Sequence, residues 1–252
     1  MYEISAVSYL NTLPFLNGIR NSPISNKIKL IIDNPSRCAE NLINNKSDIG
    51  LIPTVLLNQL NGYKIITDFC IGADGAVESV CVFSNNEIKE VDKIYVDNHS
   101  NTSVSLLKII LREYWEIKPK LISKDLLFSS SINDNAIMAI CDKAFKFKNK
   151  YKYCYDLSLI WNTMTGLPFV FAVWVARNNI SVPFINDFNS ALKKGVSNIK
   201  YIHFFQDQHE CPDPKKYLLS NISYHFNEQK RKSINLFFEK LIRNGFNSNI
   251  IN

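Results

Sequence analysis

The residues of this chain best suited to chemistry are small hydroxyl and amide side chains placed where strands end and helices begin. They are Ser8, Asn11, Ser36, Ser79, Ser100, Thr102 and Ser103. A helix start offers free backbone N–H groups and the positive end of the helix dipole, both of which favour a bound carboxylate. Any one of these residues alone is more simply explained as a helix cap. Their joint placement predicts a cleft for a small anion.

The common catalytic motifs are missing from the sequence. No GxGxxG or GxxxxGK[ST] loop is present to hold a nucleotide, and no GxSxG elbow is present to expose a nucleophile. The six cysteines form no CxxC pair and the four histidines form no HExxH pair. We therefore expect neither a metal site nor a cofactor.

Length and charge narrow the class of protein. A chain of 252 residues with 46% hydrophobic residues predicts one large domain or two of ordinary size. The net charge is +6, and its only dense run of lysines lies at 143–152. We interpret that run as a solvated helix end or loop, because no nucleic-acid-binding motif accompanies it. The positive excess suits an anionic small molecule, and we expect no nucleic-acid partner.

Three features predict a cytoplasmic protein. The cysteines are scattered and mostly flanked by apolar residues, as is typical of reduced thiols. The first strand begins almost at Met1, which leaves no room for a secretory signal. No apolar run reaches the length of a membrane span, so we expect no membrane partner.

The first half of the chain alternates between strand and helix patterns. Its first strand, at 4–7, ends in Ser8-Tyr9-Leu10-Asn11, and ligands of open α/β sheets bind beyond the carboxyl ends of strands. Asn34 before Pro35 predicts the start of a helix that runs to about residue 45. Further strands are predicted at 29–32, 48–53 and 64–66, and further helices at 12–20 and 55–60. This rhythm predicts an α/β sheet with parallel strands.

A second β-α-β segment follows a turn-rich stretch at 70–75. It comprises strands at 93–97 and 136–140, a helix that opens at Ser100, and a helix at 157–164. Strands at 77–83 and 169–176 bracket this segment, which is the pattern of one domain inserted into another. We expect lobe one at residues 1–84 and 171–252, lobe two at residues 85–170, a ligand cleft between them, and a hinge at 82–84 and 169–171. One continuous sheet without a cleft remains the alternative.

Helical patterns dominate the chain from Pro183 onward. The last helix carries apolar residues at i, i+3, i+4, i+7 and i+8, namely Ile234, Phe237, Phe238, Leu241 and Ile242. We expect this face to pack against the rest of the protein.

Five segments of the chain together resemble a known family. They are Val-Ser-Tyr-Leu-Asn-Thr at 7–12, Pro-Ser-Arg at 35–37, Asp-Ile-Gly-Leu-Ile-Pro at 48–53, Asp-Gly-Ala-Val-Glu-Ser-Val at 74–80 and Gly-Leu-Pro-Phe-Val-Phe-Ala-Val-Trp at 166–174. The chain is similar in these segments, in order and over nearly its whole length, to the chorismate dehydratases of the futalosine route to menaquinone. This resemblance implies the two-lobed, type II periplasmic-binding-protein-like α/β fold, with the second lobe inserted into the first.

The resemblance also implies a reaction and a set of residues. The reaction is the elimination of water from chorismate to give 3-[(1-carboxyvinyl)oxy]benzoate, with no cofactor. Because the matched motifs offer no protein base, we expect the enolpyruvyl carboxylate of the substrate to take the proton. Asn11 is the candidate catalytic residue. The candidate substrate-binding residues are Ser8, Ser36, Ser79, Asn101, Thr102 and Ser103.

Two departures from the family pattern and two other functions stay open. Asn101 stands where the family usually has arginine, and Cys141 stands where it usually has glycine, which bears on turnover more than on fold. A small-anion-binding protein of the same fold without catalysis is one alternative. The sister enzyme 1,4-dihydroxy-6-naphthoate synthase, which lacks the Ser-Tyr-Leu-Asn-Thr opening, is the other. Contact with the next enzyme of the pathway is a further possible partnership.

Overall fold

A computed structural model describes residues 1–97, 101–123, 136–177, 179–204 and 210–246. The strands are β1 (Tyr2–Val7), β2 (Ile28–Asp33), β3 (Ile49–Pro53), β4 (Tyr63–Ala73), β5 (Val80–Ser84), β6 (Lys93–Val96), β7 (Lys120–Ser123), β8 (Ala136–Ile140), β9 (Tyr153–Asp156) and β10 (Phe169–Arg177). The α-helices are α1 (Leu13–Arg20), α2 (Pro35–Ile43), α3 (Asn101–Glu113), α4 (Cys141–Phe147), α5 (Leu157–Thr165), α6 (Val182–Ser197), α7 (Pro214–Lys216) and α8 (Glu228–Arg243). Short 3₁₀ turns cover Leu10–Thr12, Pro23–Lys27, Thr54–Gln59, Ile88–Glu90 and Ile199–Tyr201, and a π-helical turn covers Tyr217–Asn221.

The strands form two separate five-stranded sheets. The first has the order β2-β1-β3-β10-β4, and the second has the order β7-β6-β8-β5-β9. In the first sheet β1 runs parallel to β2 and β3, while β10 runs antiparallel to β3 and β4. In the second sheet β6 runs parallel to β7 and β8, while β5 runs antiparallel to β8 and β9. For the described residues, the alternative prediction of one continuous sheet is therefore wrong.

Elements with a strong local signal form as predicted. The side chain of Asn34 accepts a hydrogen bond from the backbone N–H of Arg37 at 3.0 Å, and Pro35 opens α2, as the cap pattern predicts. Strand β8 has the predicted bounds, and all five of its residues are buried. The predicted opening of α3 at Ser100 lies outside the described residues.

The segment between the first and second sheets differs from the prediction. The turn-rich interpretation of 70–75 is wrong, because β4 continues to Ala73 and pairs there with Phe169 of β10. Strand β5 begins at Val80, pairs along its length with β8 and β9, and so lies in the second sheet. The prediction places residues up to 84 in lobe one and a hinge at 82–84. The chain instead passes between the sheets at 74–79 and again at 166–168, where Gly75 and Gly166 adopt positive φ angles of 96° and 69°.

The C-terminal helix α8 packs against β10 of the first sheet and against helices α3 and α5. Phe237 contacts the ring of Phe169 in β10, while Ser233 accepts a hydrogen bond of 3.1 Å from the indole of Trp161 in α5. The prediction places residues 171–252 in lobe one, and this helix also contacts the helices beside the second sheet. The prediction that Ile242 lies on the packing face is wrong, since its side chain is 74% exposed.

Helices α1 and α6 meet at two glycines. A Cβ atom on Gly18 would lie 2.1 Å from the carbonyl oxygen of Ala191, and one on Gly195 would lie 2.0 Å from that of Pro14. The close approach therefore requires that both positions lack side chains. Helix α1 follows directly on the turn that carries Asn11, so this contact helps to fix that turn.

Candidate active site

A cavity lies where the carboxyl ends of β1, β3 and β8 face the first chain crossing and strand β10. It encloses about 620 Å³ of space, including its open mouth. Its lining residues come from both sheets and are Val7, Tyr9, Asn11, Thr12, Pro35, Leu51, Pro53, Ile71, Val77, Ser79, Val80, Asn101, Thr102, Ser103, Ile140, Cys141, Phe171 and Ala172.

The cavity brings most of the predicted site residues together. Five of them line it, namely Asn11, Ser79, Asn101, Thr102 and Ser103. Ser8 and Ser36 are not among the lining residues, because the Ser8 side chain is exposed and α2 presents Pro35 to the cavity instead. Tyr9 also lines the cavity, although it is not among the predicted site residues; the signal for it is its place inside the Ser-Tyr-Leu-Asn motif.

Asn11 lies in the 3₁₀ turn between β1 and α1. Its backbone carbonyl accepts a hydrogen bond of 2.9 Å from the hydroxyl of Tyr224, and its side-chain oxygen accepts one of 3.4 Å from the hydroxyl of Thr12. Tyr224 lies in the C-terminal part of the chain, 213 positions further along the sequence. The turn is thus held by a tertiary contact in addition to its own backbone bonds.

Ser79 lies at the end of the first crossing and is 1% exposed. Its hydroxyl accepts a hydrogen bond of 2.8 Å from the Tyr217 hydroxyl, and its carbonyl accepts one of 2.7 Å from the Cys141 N–H. Glu78, just before it, adopts a positive φ of 61°. The crossing therefore turns sharply and places Ser79 at the cavity wall.

The start of α3 closes the opposite wall. Thr102 and Ser103 are buried, and the Thr102 hydroxyl accepts a bond of 3.3 Å from the backbone N–H of Val55 beside the first sheet. The first N–H groups of a helix have no partners within the helix. Together with its dipole, the 13-residue helix α3 can therefore hold a carboxylate at this wall.

Two lining residues have titrating groups that stay neutral. Burial, followed by the nearby Cys141, Asp97 and Asp142, raises the pKa of the Tyr9 hydroxyl well above its usual range. Burial and then the charges of Asp142 and Asp97 raise the pKa of the Cys141 thiol well above its ordinary value. Tyr9 is therefore a hydrogen-bond donor in the cleft, and Cys141 is a thiol that does not act as a nucleophile at neutral pH.

Cys141 has a strained backbone. Its φ is +51°, in the left-handed region that side chains other than glycine rarely adopt. This is the position where the resembled family usually has glycine. The strain is maintained by the hydrogen bond from its N–H to Ser79 and by the start of α4.

The described lining residues carry no charged side chain. Asp97, at the end of β6, is 1% exposed and forms an ion pair of 2.7 Å with Lys143 of α4. A bound carboxylate would therefore depend on N–H groups and hydroxyls for its hydrogen bonds. Within the described parts of the chain, no three His, Cys, Asp or Glu side chains converge to hold a metal ion.

Comparisons with known proteins agree with this architecture. A family model described as menaquinone biosynthesis matches residues 2–243. The chain is similar to the chorismate dehydratase of Thermus thermophilus, with 23% identity over 261 residues that cover 95% of each chain. Among solved structures it is similar to protein AF1704 of Archaeoglobus fulgidus, with a TM-score of 0.74, 14% identity and 98% of each chain covered.

A second solved structure is also similar to this chain, and at such low identities both structures inform on the fold alone. The CA3427 gene product of Candida albicans, described as having the generic periplasmic binding protein structural fold, matches with a TM-score of 0.62 and 10% identity. The match covers 97% of this chain and 95% of that one. The predicted α/β, periplasmic-binding-protein-like fold is thus confirmed. No helix among the described residues is long and apolar enough to cross a membrane.

Proposed function

Because the chain belongs to the menaquinone biosynthesis family, we propose that it is a cytoplasmic chorismate dehydratase, a lyase that removes water from chorismate. The observation that carries this proposal is the uncharged cleft in which Asn11 and Ser79 face the start of α3. The curated chorismate dehydratase that matches nearly the whole chain supports the choice of substrate. A largely apolar cavity with a few convergent polar groups suits a ring that bears carboxylates.

The substrate carboxylates are held without ion pairs in this proposal. One carboxylate accepts hydrogen bonds from the first N–H groups of α3 and from the hydroxyls of Thr102 and Ser103, while Ser79 donates to the other. Each charge-assisted bond of this kind contributes about 1.5–3 kcal/mol. The apolar walls exclude water, which strengthens these bonds.

The reaction proceeds by substrate-assisted elimination. The enolpyruvyl carboxylate takes the hydrogen from the ring carbon that bears the ether, and the electron pair of that C–H bond forms the new ring double bond. The bond from the neighbouring carbon to its hydroxyl breaks, and the proton and hydroxide leave as one water. The product is 3-[(1-carboxyvinyl)oxy]benzoate. Aromatisation makes this step strongly downhill, so the protein mainly has to hold the reacting groups together.

Asn11 has the catalytic role in this proposal. Its side-chain amide holds the leaving hydroxyl and the folded enolpyruvyl arm, and the bond from Tyr224 fixes its backbone. Ser8 and Ser36, which do not line the cavity, act at its outer edge only if the cleft closes. We propose such a closure, with the two sheets as the cores of lobes that move about 74–79 and 166–168.

Incubation of the purified protein with chorismate, followed by liquid chromatography and mass spectrometry, tests this function. We expect a new aromatic product lighter than chorismate by one water. Asn11→Ala, run in parallel for the same time, should form only a small fraction of this product, which rules out spontaneous decay as its source. Binding of chorismate without product would favour the small-anion-binding alternative, and neither binding nor product would favour the sister naphthoate synthase.

A further inference from the structure

Tyr217 lies behind the cleft wall and does not line the cavity. It opens the π-helical turn Tyr217–Asn221 and is 3% exposed. Its ring packs edge-on against Phe145 of α4, with 5.1 Å between the ring centroids. Single π-helical turns are rare and occur disproportionately at functional sites.

The Tyr217 hydroxyl is hydrogen-bonded to one of the two central residues of the cleft. It donates to the Ser79 hydroxyl oxygen at 2.8 Å. Ser79 lies at the end of the first chain crossing, far from Tyr217 in the sequence. One buried hydroxyl therefore sets the orientation of a group that the proposed reaction uses.

The hydrogen bond from Tyr217 to Ser79 determines where the proton of each hydroxyl points. A tyrosine hydroxyl carries one proton, and Tyr217 donates it to the hydroxyl oxygen of Ser79. The Ser79 proton must then point elsewhere, and Ser79 lines the cavity. The Asn11 side-chain oxygen accepts a hydrogen bond of 3.4 Å from the Thr12 hydroxyl, and its NH₂ group keeps two protons to donate.

We propose that Tyr217 is a positioning residue that makes Ser79 a hydrogen-bond donor into the cleft. This inference rests on the proposed function. Burial raises the pKa of the Tyr217 hydroxyl well above its ordinary value, so the hydroxyl keeps its proton at any pH at which the enzyme works. The arrangement is thus a chain of two donors, Tyr217 and then Ser79, that ends at the substrate.

The segment around Tyr217 is built to hold this position. The Asn221 amide donates to the Ala76 carbonyl of the first crossing at 3.2 Å, and the Ser223 N–H donates to the Gly72 carbonyl at 2.8 Å. The Tyr224 hydroxyl bonds to the Asn11 carbonyl. The C-terminal segment therefore braces the crossing and the turn that carry Ser79 and Asn11.

Tyr217→Phe tests the role, because it removes the hydroxyl oxygen and its proton but keeps the ring that packs on Phe145. We expect kcat/KM for chorismate to fall at least tenfold. Tyr63→Phe is the matched control, since its hydroxyl makes two hydrogen bonds but lies outside the cleft. The control should change kcat/KM less than twofold.

A double-mutant cycle separates positioning from general structural support. If Tyr217 acts through Ser79, then Tyr217→Phe in a Ser79→Ala background should lower kcat/KM less than threefold further. Replacement of Tyr217 by 3-fluorotyrosine keeps the hydroxyl and should restore most of the lost activity, even if the phenylalanine variant folds poorly.

Any of three results would overturn the inference while the proposed function stands. The first is an active wild-type protein whose Tyr217→Phe variant keeps full kcat/KM. The second is a full additional loss in the Ser79→Ala background, and the third is a 3-fluorotyrosine variant as inactive as the phenylalanine variant. A wild-type protein that forms no product from chorismate would instead overturn the proposed function, and the role of Tyr217 in it with that function.

Discussion

At the scale of single residues, the cleft works with amides, hydroxyls and backbone N–H groups in place of charged side chains. Asn11 is central, because its side chain faces the cavity while its backbone is held by Tyr224. Replacement of the side chain leaves that backbone bond intact. The residue can therefore be tested for chemistry separately from folding.

We predict that Asn11→Ala lowers kcat for chorismate about 100-fold or more, as is common for the loss of a group that stabilises the transition state. The melting temperature should stay within about 3 °C of the wild type, because only a half-buried amide is removed. The control is Asn17→Ala, which removes a half-buried amide of α1 that lies outside the cleft. This variant should keep full activity. Near-normal turnover by the Asn11 variant would remove this residue from the mechanism.

Cys141 permits a test of backbone strain. Glycine normally destabilises a position by roughly 0.5–1 kcal/mol relative to alanine. At the φ of +51° that Cys141 adopts, we expect the opposite order, with Cys141→Gly more stable than Cys141→Ala by about 1 kcal/mol. Urea unfolding of the two variants, which both lack the thiol, measures the difference. A more stable alanine variant would show that the left-handed conformation is not retained.

At the scale of elements, contacts between pairs of helices that lie outside the cavity stabilise the structure around it. The C-terminal ends of α3 and α8 are joined through Glu113, which accepts hydrogen bonds from Lys240, Arg243 and Asn244. Burial alone would raise the pKa of the Glu113 carboxyl. These three donors outweigh burial and lower that pKa from 4.5 to about 2.

The Glu113 network predicts a pH-dependent stability. Since the folded pKa lies below the unfolded one, the stabilisation is complete above about pH 5 and is lost as the pH falls toward 2. We expect Glu113→Gln to lower the free energy of unfolding by about 2 kcal/mol at pH 7, and clearly less at pH 3. Denaturant unfolding at both pH values checks this. The control is Glu239→Gln, at an exposed site of the same helix as Lys240, which should change the free energy of unfolding little at either pH. If Glu113→Gln lowered the free energy of unfolding by as much at pH 3 as at pH 7, the proposed role of the carboxylate would be wrong.

The glycine contact between α1 and α6 predicts a larger effect. Gly18→Ala would bring its Cβ to 2.1 Å from the Ala191 carbonyl, so the helices must separate. We expect a loss of roughly 2–3 kcal/mol in unfolding free energy, as for an overpacked core. Chorismate turnover should also fall, because α1 continues the turn of Asn11. The control is Ser197→Ala, at an exposed position of α6, which should leave the unfolding free energy nearly unchanged. A Gly18→Ala variant with the stability of the wild type would disprove the close contact.

At the scale of the whole molecule, the features that can be predicted from the sequence are those that local residue patterns determine. The cap at Asn34, strand β8 and the α/β fold follow from side-chain types at short spacing. The two glycine-containing crossings lie several residues from their predicted positions. Strand β4 has the composition of a turn at 70–75, yet its pairing with β10 overrides that local preference.

Other features depend on contacts that no local pattern records. Tyr217 meets Ser79 across 138 positions of the chain, and its π-helical turn has no distinctive composition. Strand β9 is four residues long and follows a lysine-rich stretch, so it has too little pattern to be recognised. Ser8 and Ser36 carry the right side chains at the right ends of elements. Only the fold shows that the described cavity is lined by their neighbours.

The measurement that tests the account most directly is the pH dependence of product formation from chorismate by the purified protein. An uncharged cleft whose substrate supplies the base predicts a kcat/KM that is flat from about pH 5.5 to 8.5, because carboxylates titrate below this range. The same protein should release the aromatic enolpyruvyl ether at every pH in the range. No product at any pH, or a rate that rises through a midpoint near about 6.5 as a histidine base requires, would contradict it.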